Sequence, residues 1–484
     1  MALPLDQRRR LTLTATIIGS SLAFIDATVV IVALPTIEED LGLGLSGQQW
    51  VFLAYSLALA ALYLPGGAIG DKFGRRRTFV AGAAAFALAS LLAGAAPNEE
   101  VLLLARALQG IAGAFVTTNS LALLRATYGD EAGRAVGLWT AFTSVATIAG
   151  PPVGGALVEW VSWRWIFLIN LPLAALAVLA AQLGRGEEER AQLRTGRLDL
   201  PGAALAALGL GTLTYGLVEG ADRGFGEVWW SFLVGAVALL AFVIVERRTA
   251  QPMLPFELFR RRNFAAANLE TFLVYGALYG VFVYLTIYIQ ALGFTPFEAG
   301  LIQIPTSVVM ILLAARFGAI SDRVGPRLLL TLGPALVGLG TLLYLPITDR
   351  SDFWTWGIAG LLVFAVGLAM LVAPITATAL KSAPTEFAGI ASAVNNTVSR
   401  TGSLTAVAVI GLVIQRVYES QGGTGTPLEL GSESTATVDA FRAGMLVAAA
   451  LAFAGAIVAA AWISNREARG VEVSEPEPAT AAGS

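Results

Sequence analysis

Gly67-Ala-Ile-Gly-Asp71-Lys-Phe-Gly74-Arg75-Arg76 returns 251 residues later as Gly318-Ala-Ile-Ser-Asp322-Arg-Val-Gly325-Pro-Arg327. Each copy follows an apolar run and precedes another, so each is a short charged turn between two helices. A second pair of matches, Gly137 and Gly150 against Gly389 and Gly402, sits at an offset of 252. Two offsets so close define one internal duplication rather than a chance recurrence. Working outward from these turns, we count fourteen mostly apolar runs of the ~20 residues that a membrane crossing needs. They are 11–36, 48–70, 78–96, 101–123, 135–158, 162–183, 200–218, 229–246, 264–290, 297–317, 328–347, 353–373, 387–415 and 441–463. The duplication therefore steps over eight spans. Span 2 corresponds to span 10 and span 5 to span 13, which requires two six-helix halves with spans 7 and 8 inserted between them. The expected division is residues 1–183 for the N-terminal half, 184–262 for a charged loop, the inserted helices and a connector, and 263–465 for the C-terminal half. Residues 466–484, acidic with Pro476 and Pro478, read as a disordered tail.

Composition agrees with an all-α integral membrane protein. Charged residues are 13% of the 484 and apolar residues 56%, where soluble proteins carry ~25% charge. Mean hydropathy is +0.71. A net charge of −3 lacks the basic face that nucleic acid requires. The chain contains no Cys and no His, which excludes disulfides, thiolate and imidazole metal sites and Ser–His triads. Neither lysine, Lys72 or Lys381, follows a Gly, so no nucleotide-binding phosphate loop exists. We expect no cofactor and no metal. Of the 31 Lys and Arg, 24 fall on the side of the N-terminus and 5 on the other, with Arg106 and Arg400 inside spans. Positive residues favour the cytoplasm, so both termini are expected there. The connector at 249–262, with Pro252, Pro255, Phe256 and Phe259, reads as a segment lying at the membrane surface.

Five segments in order resemble the major facilitator superfamily, specifically its 14-helix drug/proton antiporters of the EmrB/QacA type. They are Leu22 to Pro35 around Asp26, Gly67 to Arg76, Arg106-Ala-Leu-Gln109-Gly110, Gly150-Pro151-Pro152-Val-Gly154-Gly155, and Trp163 to Pro172 with Asn170. The resemblance covers essentially all of spans 1–14. It implies a secondary transporter that exports small hydrophobic or cationic drugs or metabolites in exchange for protons, with the bilayer as its other partner. It also implies that helices 1 and 4 line a central cavity, putting Asp26 and Arg106 within reach, and that Gln109 belongs to that cavity. An accessory envelope protein stays open.

Each motif also has a physical reading. Gly67, Asp71, Gly74 and Arg75, with Gly318, Asp322 and Gly325, form two gating turns. Asp71 is expected to face the start of helix 13 near residues 384–389, and Asp322 the start of helix 5 near 131–135, as carboxylates facing positive helix ends. The alternative is a basic turn that only sets topology. Gly150 to Gly155 is expected to break and kink helix 5, since proline removes backbone donors; a kinked packing helix explains the same residues. Four ionisable residues lie within spans: Asp26, Arg106, Glu270 and Arg400. Each is expensive there, ~2.5–3.5 kcal/mol for Asp or Arg near a helix centre, and two acids against two bases suggests internal pairs. Asp26, Arg106 and Glu270 are the proton-coupling candidates, and static ion pairs are the alternative. On helix 9, Phe272, Tyr275 and Tyr279 share one face as a stacking surface for substrate. Glu270, Tyr284 and Tyr288 share the opposite face, and only one face can line a cavity. Two other functions compete with export: gradient-driven uptake by a related facilitator, and a membrane enzyme or receptor.

Overall fold

The computed structural model describes residues 4–185, 199–249, 254–384, 387–429 and 434–465. The charged loop at 186–198 and the tail at 466–484 lie outside them. Fourteen helices follow in order: α1 Leu5–Leu41, α2 Gly44–Phe73, α3 Arg75–Gly94, α4 Glu99–Tyr128, α5 Ala132–Trp160, α6 Asn170–Leu183, α7 Leu200–Asp222, α8 Phe225–Arg248, α9 Arg262–Ala291, α10 Ile304–Val324, α11 Pro326–Leu342, α12 Ile358–Lys381, α13 Ala388–Ser420 and α14 Thr435–Trp462. Shorter turns at Trp165–Leu168, Pro296–Ile302 and Phe353–Gly357 extend α6, α10 and α12. Thirteen of these units are long and apolar enough to cross a membrane. The remaining one, α11, has 17 residues, or ~26 Å of helix. Turn residues 343–346, with Tyr344 buried, carry the chain onward, which fits the expected alternation. Leu88, Leu233, Leu240, Ile311 and Ile457 stand exposed on the outer faces, as side chains do that meet lipid rather than water.

Glycine decides which helices touch. A Cβ at Gly110 of α4 would strike the backbone of Tyr55 on α2, and one at Gly402 of α13 the backbone of Phe272 on α9. Gly340 and Gly360 meet between α11 and α12 in the same way. Small residues of this kind let apolar helices approach to backbone contact. The inserted pair lies across a seam between the halves: α7 packs on α2 and α13. Trp50 Nε1 donates to Glu219 at 3.0 Å, and Arg416 donates to the Gly220 carbonyl at 2.9 Å. In the connector, the turn Phe256–Arg260 tucks Leu258 against Phe264, Ala391 and Val394.

Among the described residues, the halves bond to each other on one side. Every hydrogen bond between described residues that joins them lies on the side away from the termini: Gln290 to the Val32 carbonyl, the Phe297 N–H to Glu159, and Thr426 to Glu38. Pro296 and Phe297 pack on Gly155, and Trp160 stacks obliquely on Phe297 at 4.8 Å. Toward the termini a Cβ added at Gly67 meets nothing within 4 Å.

Candidate functional site

At the centre of the N-terminal half, α1 supplies Asp26 and α4 supplies Arg106, both 0% exposed. Arg106 donates to the Asp26 carboxylate at 2.5 Å. Close approach at Gly110 sets this geometry. It presses α4 on α2, so that one turn away Arg106 Nε reaches the Val51 carbonyl at 2.9 Å. The guanidinium also lies 4.6 Å from the centroid of the Tyr55 ring. The second Asp26 oxygen accepts from Gln109 and Asn170, each at 3.2 Å, and both reach toward Ser90. A buried charge pair persists only when its remaining donors and acceptors are satisfied, and these side chains do so. One Arg106 terminal nitrogen keeps no partner among the described residues. The expected pair of Asp26 and Arg106 is thus formed in this geometry. Gln109, expected in the substrate cavity, is instead 0% exposed and belongs to the Asp26 cluster. Asn170 and Ser90 were not singled out as site residues, although a polar side chain within an apolar run was the available signal.

The second expected pair does not form. Glu270 is 0% exposed, and neither of its oxygens has a hydrogen-bond partner. It faces α14 beside Gly455, with Tyr284 and Tyr288 buried on the same side of α9. The opposite face carries Phe272, Tyr275 and Tyr279, all partly exposed, so the aromatic stripe is the face turned toward the gap between halves. Arg400, on α13, is also partly exposed. Its electrostatic neighbours are Tyr279, Tyr55, Tyr63 and Tyr275, and no carboxylate among the described residues pairs with it.

The gating turns keep their carboxylates within their own halves. Asp71 accepts from Arg75 at 2.8 Å, and Arg75 also donates to the Ala122 carbonyl at 3.2 Å. Asp322 pairs with Lys381 at 2.7 Å, both well exposed. Gly74 and Gly325 take φ of 101° and 92°, a region that side chains rarely adopt, which fixes glycine at both copies. Gly67 meets nothing within 4 Å and Gly318 makes only ordinary contact with Ala373 at 3.7 Å, whereas Gly70 forms the notch that the Asn119 side chain fills. Part of the expected Asp71 target, residues 385–386, lies outside the described residues.

The proline motif does not interrupt its helix. Helix α5 runs unbroken from Ala132 to Trp160 through Pro151 and Pro152. Pro151 has no N–H for the Thr147 carbonyl, and Thr28 of α1 approaches that oxygen at 3.5 Å instead. Gly150 and Gly154 receive Thr28 and Val29, while Gly155 meets Pro296 and Phe297, and Gly300 meets Pro151. The motif is a packing seam that joins α5 to α1 and to the other half.

Residues 16–407 match the family model described as Major Facilitator Superfamily. The multidrug resistance protein Stp of Mycobacterium tuberculosis is 35% identical over 415 residues, covering 85% of this chain and 76% of Stp. The puromycin resistance protein pur8 of Streptomyces alboniger is 35% identical over 472 residues, covering 95% and 92%. The tetracenomycin C resistance and export protein of Streptomyces glaucescens is 32% identical, covering 83% and 75%. Among solved structures, a bacterial homolog of the human lysosomal transporter Spinster, inward-facing and unoccupied, superimposes with a TM-score of 0.63 at 16% identity, covering 93% of this chain and 97% of that one. A peptide transporter in complex with sulfate gives 0.66 at 14%, covering 97% and 99%. With its duplicated six-helix halves, its glycine-built seams and these relatives, the chain is a multi-pass membrane protein that belongs to the Major Facilitator Superfamily, beside relatives that confer multidrug and antibiotic resistance.

Proposed function

We propose that this transporter exports small organic molecules across the cytoplasmic membrane in exchange for protons, with both termini in the cytoplasm. The Asp26–Arg106 pair carries the reading. A carboxylate and a guanidinium fully removed from water, inside a membrane span, mark a proton or ion pathway by default. Asp26 binds the proton, and Arg106 is the partner whose approach or withdrawal releases or admits it. Glu270, buried without a partner, is a second proton-binding candidate. Direction rests on the relatives, which are named for resistance and export. With the termini cytoplasmic, contact confined to the far side is an inward-open arrangement, ready to load substrate from the cytoplasm. Asp71 and Asp322 then serve the outward-open state, in which each turns to the facing helix of the other half.

The test uses inverted membrane vesicles that expose the cytoplasmic face. An acid interior should drive accumulation of a cytotoxic compound against which the protein protects cells, and a protonophore should discharge it. If a screen of varied cytotoxic compounds shows protection by the protein but no vesicle uptake responds to the pH gradient, proton exchange is wrong. Net accumulation of a nutrient by intact cells would favour uptake instead.

A further inference from the structure

The charge in the gap between the halves has a sign that the buried pair hides. Asp26 is neutralised by Arg106, and neither is exposed. Glu270 is turned away into the α9–α14 packing. The other acidic residues of the helices around the gap sit near helix ends. Asp71 is held by Arg75, Glu219 by Arg223, and Glu419 by Arg416. Glu159 caps the Phe297 N–H. Arg400 is left as a partly exposed cation with no carboxylate beside it among the described residues.

Its position in the seam follows from helix geometry. At 100° per residue, Gly411 lies about 20° around α13 from Arg400, so both share one face. At Gly411 that face touches Gln49 of α2. On α2, Tyr63 lies about 40° from Gln49 by the same arithmetic, and Gly67 lies directly in line with it. The α2–α13 contact therefore closes at Gln49 and Gly411 and opens toward the termini. On those faces Arg400 lies about three turns below the contact and Tyr63 about four, and roughly a turn beyond Tyr63 a Cβ at Gly67 meets open space. The aromatic stripe of α9 adds Tyr275 and Tyr279. The site thus offers one guanidinium fork, several phenol hydroxyls and flat ring faces drawn from both halves.

We propose that Arg400 and the surrounding tyrosines form the recognition site for substrates with an acidic group on a planar aromatic body, the guanidinium pairing with the acid. This rests on the export reading above and narrows its substrate class. A guanidinium pairs with carboxylates and other planar oxyanions through parallel N–H donors, and phenols donate to the same oxygens. A cationic drug would meet an unscreened like charge at the point where the halves converge. The phenol rings alone suit cations, but the cation is already supplied by the protein. The choice has an energetic consequence. Expelling an anion while admitting a proton moves two charges along the membrane potential. Each charge is worth roughly 40-fold in gradient per 100 mV, so an acid is concentrated outside more steeply than a neutral compound.

Two xanthene dyes of related ring system separate the cases: fluorescein, ionised in mildly alkaline buffer, and cationic rhodamine 123. Binding is followed by fluorescence anisotropy on the purified full-length protein, so it does not depend on transport. Fluorescein should bind saturably and more tightly than rhodamine 123. Arg400→Gln should weaken fluorescein at least tenfold, and Arg400→Lys, which keeps the charge, should weaken it less. Rhodamine 123 should bind the Arg400→Gln protein as well as or better than the native one. Size-exclusion profiles of both variants check folding, and Tyr275→Phe, a milder change, should weaken fluorescein several-fold in any case. A preference for rhodamine 123, absence of saturable fluorescein binding, or fluorescein affinity unchanged within twofold in Arg400→Gln overturns the assignment. Failure of pH-driven uptake in vesicles with binding intact would sink the export reading alone. Uptake of rhodamine 123 but not fluorescein would leave export standing and remove the acidic-substrate site.

Discussion

Asp26 shares its carboxylate among Arg106, Gln109 and Asn170, so a substitution there changes both charge and hydrogen-bond direction. Asp26→Asn presents an amide N–H to donors and leaves Arg106 charged and fully buried. Removing one member of a buried pair typically costs about 3–5 kcal/mol. We expect Asp26→Asn to abolish pH-driven transport and to lower thermal stability in detergent. Adding Arg106→Gln should recover much of the stability without recovering transport. A static pair that only holds α1 and α4 together would instead regain transport in the double variant, and vesicle uptake beside a melting curve separates the two. Glu270 gives a contrasting case. Its carboxyl has no partner to lose, so Glu270→Gln should leave the melting temperature within a few degrees. If Asp26 alone carries the proton, pH-driven uptake should persist in that variant.

At the scale of elements, the seam between α5 and the Pro296–Ile302 turn closes the side away from the termini. Backbone meets backbone there: Gly155 faces the Pro296 carbonyl and Gly300 the Pro151 carbonyl. No flexible side chain can yield, so an added branched side chain must push the halves apart. Gly155→Val and Gly300→Val should each shift the population toward the arrangement open on that side and slow transport by at least tenfold. Because the chain has no cysteine, a single Ala393→Cys on the seam face of α13 is a clean reporter. Its labelling by an impermeant maleimide from the cytoplasmic face of inverted vesicles should fall in both glycine variants. Unchanged labelling would mean that this contact does not hold the inward-open state.

For the whole molecule, the two gating turns predict the reverse shift. Asp71 and Asp322 bond within their own halves here. If they grip the opposite half when the cavity faces outward, Asp71→Asn loses a contact of ~0.3–2 kcal/mol made only in that state. Labelling of Ala393→Cys should then rise and transport fall. A change in labelling in the opposite sense would show that Asp71 only shapes its turn. Orientation has its own check. Reporter fusions after Leu183 and after Arg466 should read as cytoplasmic, and one after Glu419 as external. A reporter after Arg466 that reads as external would break the even count of spans and the charge asymmetry together.

The sequence alone determined the class, the duplication and the place of the inserted pair, because span length, apolar content and the turns at Gly67 and Gly318 are local in the chain. It also made Asp26 and Arg106 conspicuous, since an ionisable residue stands out in an apolar run whatever surrounds it. It did not determine partnership. Equal numbers of acids and bases suggested two pairs, yet Glu270 and Arg400 lie on different sides of α9, and only the packing of α9 against α14 and α13 separates them. Likewise Pro151 and Pro152 read as a break, while Thr28 of α1 approaching the freed Thr147 carbonyl is consistent with a continuous helix. Pairing, register and the sign of charge left in the gap depend on which helix faces meet. That is settled by glycine contacts such as Gly110 on Tyr55 and Gly402 on Phe272, between residues far apart in the chain.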